Sequence, residues 1–166
     1  MNDHTFEVIV EDDPDPDHVR QLVAGLVAFN ASSAVAEDRR PLAVFLREGS
    51  RIVGGANGYT RWQWLYVSHL WIDDALRGRG VGRQVMHAIE EEGRRRGCRA
   101  AWLDTFSFQA PDFYQAIGYR QFGELTGFPP GHTRHFLWKL LDPTSGSTAG
   151  RKSRLSDPQV LTISPG

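Results

Sequence analysis

Arginine and glycine alternate through Arg77-Gly78-Arg79-Gly80-Val81-Gly82-Arg83, the stretch of this chain best equipped to hold an anion. It stands between an aromatic, apolar run at 65–72 and an amphipathic run at 81–96, an order that reads strand, loop, helix. Glycines let the main chain turn tightly and leave no Cβ between backbone and ligand. The first N–H groups of the following helix lack internal partners, and the positive end of the helix dipole lies with them. Together they form a cradle for a phosphate or pyrophosphate, and Arg77, Arg79 and Arg83 add mobile positive charge around it. A triphosphate loop would need Gly-Lys followed by Ser or Thr, which does not occur. A dinucleotide fingerprint needs a third glycine where Arg83 stands. Asp104 nevertheless lies at about the 20-residue distance where that motif keeps its ribose-binding acid, so nucleotide binding stays an alternative.

A third spacing, Arg or Gln, two residues, Gly, one residue, then Gly or Ala, is met by Arg77, Gly80 and Gly82. It resembles the acyl-CoA pyrophosphate loop of the GNAT superfamily of N-acetyltransferases. One helix and one strand later, Phe108-Gln109-Ala110-Pro111-Asp112-Phe113-Tyr114-Gln115-Ala116-Ile117-Gly118-Tyr119 resembles that superfamily's A-x-x-F-Y-x-x-x-G-F/Y segment. Alone, a glycine-rich loop is commonly a plain turn, and Phe-Tyr before Gly is commonly helix packing followed by a C-cap. Their order and separation carry the resemblance, which covers residues 42–141.

The resemblance implies an α/β (α+β) GNAT fold. Its sheet is central, mixed and mostly antiparallel, with about six to seven strands and about four flanking helices. Two central parallel strands splay apart in a V. It implies direct transfer of an acetyl group from acetyl-CoA, as co-substrate, to a primary amine of a small molecule or protein, without a metal. A catalytically weak acyl-CoA-binding module on the same fold is the alternative. In the family the pantetheine arm fills the splay as a pseudo-strand, and Leu70, Trp71 and Ile72 match the positions whose backbone pairs with it. The loop Arg77, Gly78, Arg79, Gly80, Val81, Gly82 and Arg83 matches the pyrophosphate site. Tyr114 matches the residue that can protonate the departing thiolate. Ser107 stands where the family often has Asn, which changes how the arm is held.

An ammonium acceptor must also lose a proton. His69 is the ionisable group of suitable pKa on the strand before the loop, with Asp73 or a water relay from Ser68 or Tyr66 as rivals. Plain strand alternation puts His69 and Trp71 on one face and Tyr66, Ser68 and Leu70 on the other. Trp62, Trp64, Trp71 and Phe128 are candidate walls for a cationic or flat acceptor, or plain packing. His132, Arg134 and His135 could meet an anionic one.

These residues need a scaffold. Residues 6–10 read as a strand, and Val19, Leu22, Val23, Leu26, Val27 and Phe29 recur at helical spacing, which predicts a helix on the core. Residues 31–41 read as a loop or short helix. Strands are expected at 42–46 and 51–59 around a Glu48-Gly49-Ser50 hairpin, then at 63–72, 99–105, 119–124 and 135–141. Helices are expected at 81–96 and 110–117. On the first, the charged run of Glu90 to Glu92 and Arg94 to Arg96 reads as the solvated side.

At 166 residues one core is expected, as a single domain over 1–142. The Ser-, Gly- and Pro-rich stretch 143–166 reads as a disordered or loosely docked tail. A net charge of −1 speaks against nucleic-acid binding. No run of membrane-spanning length occurs. One cysteine, Cys98, excludes an internal disulfide and suits a reducing cytoplasm. A homodimer would be unsurprising in the family.

Overall fold

Six strands pair into one mixed sheet of order β1-β2-β3-β4-β6-β5. The computed structural model describes residues 6–33 and 36–141. The elements are α1 (Pro16–Ser33), β1 (Arg40–Glu48), β2 (Arg51–Arg61), β3 (Trp64–Ile72), a one-turn 3₁₀ helix (Asp74–Leu76), α2 (Val81–Arg95), β4 (Ala100–Phe106), α3 (Pro111–Ala116), β5 (Arg120–Thr126) and β6 (Thr133–Leu140). Among the described residues only β3 and β4 pair in parallel, and every other rung is antiparallel. Residues 143–166, the expected tail, lie outside the described residues.

The chain divides into residues 1–37 and 38–166. In the first unit Asp15 precedes Pro16 and its Oδ1 accepts the Asp17 N–H at 2.8 Å, satisfying one of the free donors of the first turn. Proline at the start loses nothing, because its missing N–H would be unpaired there. Two expectations fail here. Residues 6–10 form no strand, since a strand exists only as part of a ladder and they make none. α1 also runs on to Ser33, and residues 36–39 are coil. The described residues therefore hold three α-helices where about four were expected.

In the second unit α2 lies against the sheet. Val85, Met86 and Ile89 bury against Leu65, Val67, Ala101, Leu103, Leu137 and Leu141. Each large apolar side chain so buried stabilises the fold by roughly 1.5–3 kcal/mol. The charged run of α2 is not wholly solvated as expected. Glu90 points inward, 3% exposed. A buried carboxylate needs a partner, and Lys139 Nζ donates to its Oε2 at 2.8 Å. The same Nζ donates to the Ile117 carbonyl at 2.9 Å, which ties α2, β6 and the end of α3 together.

The pleat of β3 shifts midway. Asn57 pairs with His69 and Gly58 with Val67, leaving Ser68 as an extra residue. Ser68 Oγ donates to the Asn57 carbonyl at 3.0 Å, compensating the broken ladder. A bulge reverses the alternation beyond it. Leu65 and Val67 face α2 before the bulge; Leu70 and Ile72 pack on that core after it. Tyr66 therefore shares a face with His69 and Trp71, which corrects the plain alternation. Gly58 makes room for the bulge, because a Cβ there would overlap the Tyr66 carbonyl oxygen.

Candidate active site

β3 and β4 are paired only from Trp64 to Val67 against Ala100 to Leu103. Past that point β3 runs on to Ile72 and β4 to Phe106 without a rung between them. The V-shaped splay is present, and a cleft of about 790 Å³ occupies it. Leu70, Trp71 and Ile72 form one lip, with His69 beside them; Asp104 and Thr105 form the other. The loop and the first turn of α2 close one end, and Phe113 and Tyr114 of α3 form a wall.

The loop is shaped by its ends. Asp73 Oδ1 accepts the Ala75 N–H at 3.1 Å and caps the 3₁₀ turn, and its Oδ2 lies 3.4 Å from the Arg51 guanidinium. Asp73 does not line the cleft, so its carboxylate is structural. Arg77 Nε donates to the Ile72 carbonyl at 3.1 Å, and its guanidinium pairs with Asp74 at 2.7 Å. Gly80 takes the helix N-cap position at φ 77°, in the left-handed region, with no side-chain cap. A residue with a Cβ pays about 1–2 kcal/mol for that backbone. The first intrahelical bond runs from Gln84 N to Gly80 O at 3.2 Å. The N–H groups of Val81, Gly82 and Arg83 are thus free of the helix ladder.

Gly78, Gly80, Val81, Gly82 and Arg83 join Arg77 on the cleft wall. Two expected residues do not. Arg79 lies off the lining. Ser107 works as a staple instead: its N–H donates to the Thr133 carbonyl at 2.8 Å, and its Oγ accepts the Thr133 N–H at 3.2 Å. These bonds fix the end of β4 to the start of β6.

Tyr114 faces the cleft with its ring edge-on to Phe113, centroids 5.1 Å apart. Its hydroxyl has no hydrogen-bond partner among the described residues. Burial, and secondarily the Asp104 charge, push its phenol up to about 12. His69 Nδ1 lies 2.9 Å from Asn57 Oδ1. That oxygen can only accept, so Nδ1 is the donor in this contact, and in the neutral ring the lone pair lies on Nε2. Of the four aromatic wall candidates only Trp71 lines the cleft. Trp62 sits at a hairpin tip under Arg61, Trp64 leans on Trp138, and Phe128 packs near Phe106.

Sequence reasoning missed Asp104, Thr105, Phe108 and Gln109 as lining residues. Asp104 was noticed only for a nucleotide reading. Its position opposite the buried Ala101-Leu103-Thr105 face of β4 was readable from alternation. Gln109 had no signal. Its Oε1 accepts from Thr105 Oγ1 and from the Phe106 N–H, each at 2.9 Å, and so sets the turn into α3.

A split between parallel strands, ending on an uncapped helix N-terminus and walled by a tyrosine-bearing helix, is the architecture of an acetyltransferase. The model of the acetyltransferase (GNAT) family matches residues 4–119, and the chain belongs to that family. It is 39% identical over 109 residues to a blasticidin-S acetyltransferase of Streptomyces morookaense, covering 63% of this chain and 80% of the relative. It is 31% identical over 132 residues to an acetyltransferase of Agrobacterium fabrum, covering 79% and 96%. A crystal structure of an acetyltransferase from Bacillus cereus superposes with a TM-score of 0.74 at 30% identity, covering 80% of this chain and 97% of that one. No helix among the described residues is long and apolar enough to cross a membrane.

Proposed function

We propose that this acetyltransferase moves an acetyl group directly from acetyl-CoA to a primary amine of a small molecule. The observation that carries the reading is the cleft itself. It joins free helix N–H groups at one end to an unpaired strand edge and a tyrosine hydroxyl further along. Free amide donors with Arg77 and Arg83 suit a pyrophosphate. The open edge of Leu70, Trp71 and Ile72 suits the amide groups of pantetheine, and a backbone N–H there polarises the thioester carbonyl as negative charge develops on its oxygen. Tyr114 is the acid that faces the departing sulfur, donating its O–H hydrogen bond there as negative charge gathers. His69 Nε2, with Nδ1 anchored on Asn57, takes the proton of the ammonium, directly or through water. The free amine attacks the thioester carbon, the carbon–sulfur bond of the adduct breaks, and the proton shed by the adduct's nitrogen ends on the sulfur, so the products are amide and thiol. Residues 1–142 act as one domain in this reading.

The relative that acetylates blasticidin S supports a small-molecule acceptor over a protein one. The test measures acetyl-CoA binding by calorimetry and release of free thiol with blasticidin S and a panel of other amines. Binding at micromolar or tighter Kd with thiol release on at least one amine is expected. Acetyl-CoA binding without release across the panel would make the protein an acyl-CoA-binding module. Preference for NAD over acetyl-CoA would remove the assignment.

A further inference from the structure

We infer that Asp104 is a specificity residue that selects an acceptor carrying a second positive charge, an inference that rests on the acetyltransferase reading above. Among the described residues, Asp104 is the single acidic side chain lining the cleft. It stands on β4, on the sheet face shared by Tyr66 and Trp102, whose rings lie 4.2 Å apart. The loop end of the cleft carries Arg77 and Arg83; the β4 end carries the Asp104 carboxylate, backed by Arg134 from β6. Tyr114 reads that charge, since Asp104 is one of the two causes raising its phenol. A thioester lodged with its phosphates on the loop would extend along the cleft past Trp71 and Tyr114 to the wall that carries Asp104.

The carboxylate is built in rather than incidental. Its side chain is 12% exposed. Oδ2 accepts Arg134 Nε and lies 2.7 Å from the second guanidinium nitrogen. Oδ1 accepts the Tyr66 hydroxyl at 3.1 Å. Arg134 in turn is backed by the rings of Phe106, Phe128 and Phe136 at 5.5–5.6 Å. The arginine thus holds one oxygen from the far side. Oδ1 has only a neutral partner and keeps a lone pair for a cation. Trp71 and Phe108, both about half exposed on the lining, supply flat apolar walls. An aromatic or heteroaromatic amine with a remote ammonium or guanidinium fits that combination.

The experiment uses the full chain and three matched acceptors, benzylamines bearing a para-methyl, para-aminomethyl or para-carboxylate group, with acetyl-CoA saturating. The wild-type protein is expected to rank them by kcat/KM as cationic, neutral, anionic. Asp104→Asn should lower kcat/KM for the cationic acceptor by roughly 10- to 150-fold, the range of a lost charge-assisted hydrogen bond. Any loss the neutral acceptor shows is subtracted, so the readout is the ratio of kcat/KM for the cationic to the neutral acceptor, which should fall by that factor. The anionic one should improve, because Arg134 is left uncompensated. Tyr66→Phe, which deletes a hydrogen bond but keeps the charge, should preserve the wild-type ranking. A uniform loss on all three acceptors in Asp104→Asn, or the same reordering in Tyr66→Phe, would make Asp104 scaffolding and overturn the inference. So would a wild-type protein indifferent to substituent charge. Turnover by the wild type on none of these or the wider amine panel, despite acetyl-CoA binding, defeats the proposed function itself and this inference with it.

Discussion

Replacing Tyr114 with Phe removes one oxygen and little else. The ring keeps its packing against Phe113 and Tyr119, and the hydroxyl leaves no partner behind, so the melting temperature should move by less than about a degree. The catalytic effect can be bounded. Burial has pushed this phenol up to about 12, while an alkyl thiol ionises near 8.5. Complete transfer of the proton to a free thiolate would run uphill by about 3.5 pKa units, or ~5 kcal/mol. Donation of a hydrogen bond to the sulfur as it gains charge costs no such climb and is worth about 1.5–3 kcal/mol. That range converts to a fall in kcat of roughly 10- to 150-fold. Thiol release is followed by a chromogenic disulfide under single-turnover conditions, so that chemistry and not product release is read. The dissociation constant for acetyl-CoA should change by less than about threefold, because the pyrophosphate cradle is untouched. The wild-type rate should also show no alkaline decline attributable to Tyr114 below about pH 11, since the raised phenol stays protonated there. A single-turnover rate within twofold of wild type would refute the reasoning. A loss beyond about a thousandfold would point to full proton transfer and refute the hydrogen-bond bound.

Arg83→Ala should weaken acetyl-CoA binding about tenfold, the loss of one charge-assisted contact, and make the remaining affinity less sensitive to salt in titrations from low to moderate ionic strength; an unchanged Kd would place the phosphates elsewhere. Gly58→Ala should destabilise the fold by about 1–3 kcal/mol through backbone overlap with Tyr66, seen as a melting point lower by several degrees, and wild-type stability would show that the bulge yields. Cys98, buried with its thiol pushed up to about 11, should resist iodoacetamide at pH 8 until the protein is unfolded. Because the folded thiol holds its proton more tightly than the unfolded one, its stabilising contribution is complete below about pH 8 and fades as pH rises from roughly 9 to 11; denaturant melts across that window check the sign.

The sheet of the second unit was legible in the sequence because its strands are short apolar runs punctuated by turn residues. Gly49-Ser50 falls between paired Glu48 and Arg51, where the hairpin was expected. The α2 helix was equally plain from Val85 and Ile89 at helical spacing and from the arginines of its last turn. The first unit was harder. Residues 6–10 carry β-prone side chains, but a strand is defined by its neighbour, and no local pattern announces one. The facing of His69 was misread for a related reason. A one-residue bulge is invisible to alternation counting, and its signature, a glycine opposite in Gly58, lies on another strand. Inward Glu90 escaped notice because its partner Lys139 is 49 residues away. In the site, the glycine loop and Phe113-Tyr114 were readable as local motifs, whereas Asp104 drew its meaning from Tyr66 and Arg134, each more than two dozen residues distant.

The four-rung union of β3 with β4 has a mechanical corollary. The sheet is two stiff triplets, β1-β2-β3 and β4-β6-β5, welded over a short seam near one margin. Each triplet is braced by long antiparallel ladders, so compliance concentrates at the weld. A rotation of a few degrees there leaves both triplets intact while changing the separation of Trp71 and Asp104 at the far margin. A ligand seated in the gap would bear on both triplets at once, with the short seam as the place where they give.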